Sequence, residues 1–151
     1  MSQTDLAPAA ATAADHGKGA RTIGVILAVI GIVMMVAGSV TYFTVSSTLA
    51  AEKITTSKDA CLPERSVTGP FTAYCEAMVI AKHSTEATGG KTYAELGRED
   101  PLRQVAMTAS FLRSSLFTSV VAFGVAALVV LLGLLFVLTG VGLRMLGRAT
   151  E

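Results

Sequence analysis

Two uncharged stretches of equal length constrain this chain more than any other feature. One runs from Thr22 to Ala51, between Arg21 and Glu52; the other runs from Ser114 to Leu143, between Arg113 and Arg144. Each is 30 residues long. As α-helix each rises about 45 Å, enough to cross a hydrocarbon core and enter both headgroup layers. No Asp, Glu, Lys, Arg or His interrupts either run. The expected fold class is therefore all-α, a two-helix transmembrane hairpin with a small extracytoplasmic helical loop domain.

Of the 151 residues, 52% are hydrophobic, and the excess lies in the two runs. The formal net charge is +1, which gives no electrostatic footprint for nucleic acid. Residues 1–20 are rich in Ala and small polar residues without an apolar period, and read as a disordered cytoplasmic tail. Residues 21–51 form the first span, 114–143 the second, and 144–151 a short cytoplasmic tail. The 62 residues from 52 to 113 are the one segment long enough to form a domain in water, and a small core of that size is marginal alone. A cleaved signal peptide is the alternative for the first run, with Thr48 and Ala50 as a weak processing pattern. The apolar core from Ile23 to Val45 exceeds the usual 7–15 residue h-region, which favours a retained anchor.

Gly17, Gly24, Gly31 and Gly38 recur every seven residues, as do Gly133, Gly140 and Gly147. Seven residues is nearly two helical turns, so each series occupies one face. Small residues on one face let helix backbones approach closely, a driver of association in lipid. An antiparallel hairpin brings Gly31 near Gly133 or Gly140. The same faces offer a surface for a membrane-protein partner or for self-association; abundance of glycine in membrane helices is the plainer reading.

Within the middle segment, Pro63, Gly69 and Pro70 mark irregular backbone. From Phe71 the pattern Phe71, Tyr74, Cys75, Met78, Val79 falls on one helical stripe. It predicts a helix over about 71–88, stopped by Gly89-Gly90, with this stripe packed inward. Asp100-Pro101 is a helix start, an N-cap acid followed by proline, and one long helix is expected from about 101 to about 146.

Positive-charge counts do not orient the loop, because Lys and Arg are about equally dense in the tails and the loop. Both cysteines, Cys61 and Cys75, lie in the loop, which points to an oxidising compartment and to a structural disulfide. The expected location is the plasma membrane of a bacterium, both termini cytoplasmic and the loop outside. Free thiols or a redox switch remain the alternatives, although a catalytic pair is normally C-x-x-C.

Few residues speak for chemistry. TGGKT at Thr88–Thr92 lacks the glycine five before Gly90 that a phosphate loop needs, and reads as a helix C-cap. His83 has no convergent ligand set and reads as a solvated histidine with Glu86 as a surface partner. Glu64, Arg65, Arg98, Glu99, Asp100 and Arg103 read as solvated or headgroup-facing charges. Arg113 is placed to reach lipid phosphates, with Tyr42, Phe43 and Phe117 as an aromatic belt at the same level. With no ionisable group inside the runs and no nucleophile beside a base, neither a transporter nor an enzyme is expected. No catalytic residue, metal ligand or cofactor is assigned.

GPFTAY (69–74), TGGKTYAEL (88–96) and TASFLRSSLFTSVVAFGV (108–125) resemble a group of small two-pass actinobacterial membrane proteins without an assigned biochemical role. Some carry the name aromatic ring-opening dioxygenase, after the small subunit of that enzyme. The resemblance implies a two-span architecture over the second half of the loop and the second run. Taken literally, the name implies a ring-cleaving enzyme, which holds iron with two histidines and a carboxylate. The chain offers only His83 outside the tail, so no catalytic residue carries over. The three functional readings are thus a structural or accessory membrane protein, a ring-opening dioxygenase, and an envelope thiol-disulfide sensor.

Overall fold

In the computed structural model, backbone is described for residues 6–149 and side chains for 18–148. Three helices follow one another: α1 (Leu6–Ala51), α2 (Pro70–Ala87) and α3 (Leu102–Ala149). The fold is all-helical. Two stretches, Lys18–Ala51 in α1 and Leu102–Arg148 in α3, are long and apolar enough to cross a membrane.

α1 starts earlier than expected. Helical backbone reaches from Leu6 through the stretch read as a disordered tail. Alanine is the strongest helix former, and Pro8 falls in the first turn, where its missing N–H costs no hydrogen bond. Residues 1–5 of that tail lie outside the described residues.

α2 starts and stops on the signals in its sequence. Gly69 is its N-cap, Pro70 its first residue, and the Thr72 hydroxyl oxygen accepts the Gly69 N–H at 3.3 Å. At the other end Gly90 N–H donates to Thr85 O at 2.8 Å and Gly89 N–H to Glu86 O at 3.2 Å. This is a Schellman closure, and it needs the left-handed φ of +63° at Gly89. The TGGKT segment is thus a helix stop. α3 begins where the Asp100 carboxylate accepts the Leu102 N–H at 2.9 Å.

The chain divides into two units. The first joins the part of α1 up to Val40 with the part of α3 from Ala127. Gly24, Gly31 and Gly38 are buried on its α1 side, and Gly133, Gly140 and Gly147 on its α3 side. The large residues around them face outward, among them Val33, Leu131 and Leu138.

The second unit, Thr41–Ala126, contains the end of α1, the connecting loop, α2 and the start of α3. Its core is Leu49, Val67, Ala73, Ala77, Leu116 and Phe123. Here the expected inward stripe of α2 is corrected. Cys75 and Val79 are buried as expected, but Phe71 is 78% exposed, and Tyr74 and Met78 are also exposed. The buried face is Ala73, Cys75, Glu76, Ala77 and Val79. Ala73 and Ala77, two of the four alanines on the helix, let its backbone settle among Leu49, Leu116 and Phe123. The expected aromatic belt also divides: Tyr42 packs edge-on against Phe123 at 4.8 Å, and Phe117 against Tyr74 at 6.0 Å.

Candidate functional site

Two places gather the residues singled out by the sequence: the loop laid along α2, and the glycine seam.

The loop from Ile54 to Val67 folds back on itself. Thr56 N–H donates to Arg65 O at 2.8 Å, and Val67 N–H to Ile54 O at 2.9 Å. The buried Thr56 hydroxyl donates to Leu62 O and accepts the Arg65 N–H at 2.8 Å, so its oxygen braces both arms. Three tethers then fix the loop to α2, two at the adjacent Cys75 and Glu76 and one about two turns further on at Lys82 and His83. Cys61 and Cys75 meet sulfur to sulfur with Cα atoms 5.4 Å apart, a separation suited to a disulfide. The Glu76 carboxylate accepts the Ser57 N–H at 2.8 Å and the Ser57 hydroxyl at 3.1 Å. The Asp59 carboxylate lies 2.9 Å from His83 Nε2 and 3.5 Å from Lys82 Nζ. Positions 75, 76, 82 and 83 share one side of the helix, since seven residues nearly complete two turns.

Neither carboxylate was legible as a partner. Glu76 is only 7% exposed, and a buried carboxylate is costly unless hydrogen-bonded, as it is here. Asp59 takes the place expected of Glu86 beside His83. That hydrogen bond holds the Asp59 carboxyl below its ordinary value of 3.8, against the opposing effect of desolvation.

A second bracket organises the connector to α3. Arg103 Nη1 donates to Leu96 O at 2.5 Å and to Tyr93 O at 3.3 Å, and the guanidinium lies 4.0 Å from the centre of the Tyr93 ring. Arg103 therefore holds the turn, rather than standing free in solvent as expected. Glu95 accepts the Thr92 N–H at 2.8 Å, and this bond pulls its carboxyl pKa down.

The glycine seam is reciprocal. A β-carbon on Gly31 would lie 2.5 Å from Gly133 O and 2.8 Å from Val137 N. One on Gly133 would lie 2.6 Å from Gly31 O and 2.9 Å from Met35 N. Gly24 and Gly140 repeat the arrangement, each directed at the other's carbonyl oxygen. Of the two partners expected for Gly31, the structure brings up Gly133. No Cβ fits at these four positions without moving backbone. The seam joins the chain's own two long helices.

An iron site of the ring-cleaving kind does not fit these residues. Among the described residues no three His, Cys, Asp or Glu side chains converge. The histidine–carboxylate pair found among the described residues, His83 with Asp59, shares its carboxylate oxygen with the Lys82 ammonium. The side chain of His16 lies outside the described residues. No family model, curated protein or solved structure matches the chain.

Proposed function

We propose that this is a two-span integral protein of a bacterial plasma membrane with a structural or accessory role. In this reading α1 and α3 cross the bilayer as an antiparallel hairpin, and the segment between them forms an extracytoplasmic cap held by a Cys61–Cys75 disulfide. The supporting observation is the apolar surface of the two long helices. Only 17% of the most hydrophobic window in each is buried, and residues such as Ile26, Val33, Leu131 and Leu138 stand open. A water-soluble chain rarely exposes apolar surface on that scale, whereas lipid covers it without cost.

The polar atoms in these stretches agree with lipid surroundings. The hydroxyls of Ser39, Thr118, Ser119 and Thr139 each donate to the carbonyl four residues earlier, at 2.8, 2.8, 3.2 and 2.8 Å. A hydroxyl bonded inside its own helix enters hydrocarbon with its proton satisfied. The glycine seam supplies close van der Waals contact between the helices, which lipid does not drive by hydrophobicity. The cysteine pair favours the outside for the cap, where a disulfide persists. The role is accessory because the cap's paired groups hold structure: Glu76, Asp59, His83 and Arg103 all bind the chain's own backbone or side chains. The resemblance to two-pass actinobacterial proteins supports the same architecture.

The test is fractionation with mass measurement. The full-length chain should stay with membranes through alkaline extraction, release only in detergent, and keep the mass of an uncleaved first helix. Release at high pH, or a mature form beginning near Ala51, would contradict the two-span reading.

A further inference from the structure

We propose that a groove on α3 beneath Arg113 is a binding site for an anionic phospholipid of the cap-side leaflet; this rests on the membrane reading above. Two adjoining cavities share Ser110 and Arg113. The larger, about 570 Å³, runs along one face of α3 past Ser114 and Phe117 to Val121. The smaller, about 80 Å³, lies towards α2 and adds Lys91 with the hydroxyls of Ser84, Thr85 and Thr92. No carboxylate lines either cavity.

The groove changes character along the helix axis in the way a lipid does. Ser110, Arg113 and Ser114 make its upper part; Phe117, Val121 and Thr118, whose hydroxyl donates to Ser114 O, make its lower part. From Arg113 to Val121 the helix rises about 12 Å, the scale from a headgroup to the upper acyl chain. Arg113 is also the last charged residue before the uncharged run, which sets it at headgroup level when α3 spans the bilayer. Its guanidinium carbon lies 5.7 Å from the centre of the Phe117 ring, so its stem is directed along the groove. Lys91 is shared with Glu95, but Arg113 has no carboxylate partner among the described residues.

A phosphodiester fits this site: a guanidinium with two parallel donors matches two phosphate oxygens, and the hydroxyls of Ser84, Ser110 and Ser114 can donate to what remains. A zwitterionic choline headgroup would place its ammonium near Arg113 and Lys91. A lipid whose only headgroup charge is the phosphate, such as phosphatidylglycerol, avoids that repulsion. The lower half, where Phe117 and Val121 flank a Thr118 hydroxyl already bonded within the helix, favours a membrane lipid over a free phosphate ion.

The test is native mass spectrometry of the intact full-length protein released from detergent, titrated with phosphatidylglycerol or phosphatidylcholine. Phosphatidylglycerol should be retained about fivefold better, as expected for one well-placed surface cation. Arg113→Gln should remove that preference, Arg113→Lys should keep part of it, and Lys58→Gln, which deletes a cation elsewhere on the cap, should leave it unchanged. Ser114→Phe, which fills the groove without altering charge, should lower retention of both lipids and covers the case in which Arg113→Gln misfolds. Millimolar glycerol phosphate should not displace the lipid. Equal retention of the two lipids, an unchanged preference in Arg113→Gln, or full displacement by glycerol phosphate would each overturn the proposal. Alkaline extraction of the same preparations separates the two claims. Protein that resists extraction yet shows no headgroup preference removes the lipid site alone, whereas protein that is extracted removes the membrane reading with it.

Discussion

Gly31 and Gly133 face each other so closely that a β-carbon on either would sit 2.5 to 2.6 Å from the other's carbonyl oxygen. Real β-carbons do not approach oxygen this closely, so the two backbones meet only because neither residue has a side chain. Gly31→Ala should therefore part the helices locally and lower the thermal midpoint in detergent, with a loss of about 1–3 kcal/mol, the usual cost of overpacking. Gly142→Ala is the control on α3, where a β-carbon meets nothing within 4 Å, and Val33→Leu is the control on the exposed face of α1. Equal midpoints for Gly31→Ala and the two controls would remove the packing role of the seam.

The buried Glu76 carboxylate should be the most sensitive single group in the cap. Glu76→Ala leaves the Ser57 N–H without its acceptor and should cost about 1–3 kcal/mol, whereas Ser57→Ala removes only the longer hydroxyl bond and should cost about 1 kcal/mol. Glu76→Gln keeps one acceptor oxygen and should fall between them. Amide hydrogen exchange at Ser57 reads this directly: protection should drop in Glu76→Ala and persist in Ser57→Ala.

For Asp59 the sign follows from its depressed pKa. A carboxyl lowered in the folded state adds stability above its unfolded value of 3.8, and that stability is lost as pH falls through the folded value. The loop should loosen from α2 only in acid, below about pH 4. A carbon-detected NMR titration should place Asp59 below 3.8, and His83→Ala should bring it back up. An Asp59 midpoint that ignores His83 would show that the 2.9 Å contact carries no electrostatic weight.

The cysteine pair predicts a mass two hydrogens below the reduced chain. Cys75→Ser should cost about 3 kcal/mol of cap stability in the chain-entropy model while leaving membrane insertion unchanged. Because Cys75 and Glu76 adjoin and hold the same loop, Cys75→Ser and Glu76→Ala should combine non-additively. Two freely alkylated thiols in protein extracted without reductant would contradict the pairing.

Much of this architecture was readable from spacing, and the failures share physical causes. Backbone signals were reliable: Gly89-Gly90 ends α2, and Asp100-Pro101 opens α3, because caps depend on local geometry. The seven-residue glycine period located Gly24, Gly31, Gly133 and Gly140 on facing surfaces, since only glycine leaves room for backbone contact. Side-chain size misled the reading of α2. Phe71, Tyr74 and Met78 share the helical stripe of Cys75 and Val79, but the buried face is decided by close packing through Ala73 and Ala77, whose small side chains let the α2 backbone approach Leu49, Leu116 and Phe123. The partners of Glu76 and His83 were out of reach for another reason. Ser57 and Asp59 lie 19 and 24 residues away, and helical periodicity carries no information about a loop folding back over that distance.

The central claim is that α1 and α3 each cross a membrane and leave the cap outside. It is tested most directly by impermeant maleimide labelling of intact cells. Single cysteines are placed at exposed Lys18, Glu99 and Arg148, in a Cys61→Ser, Cys75→Ser background. Glu99→Cys should label in intact cells, and Lys18→Cys and Arg148→Cys only after lysis. The opposite pattern would keep the two spans and reverse the orientation. Glu99→Cys behaving like either terminal position would contradict the account, because the helix between them then does not cross.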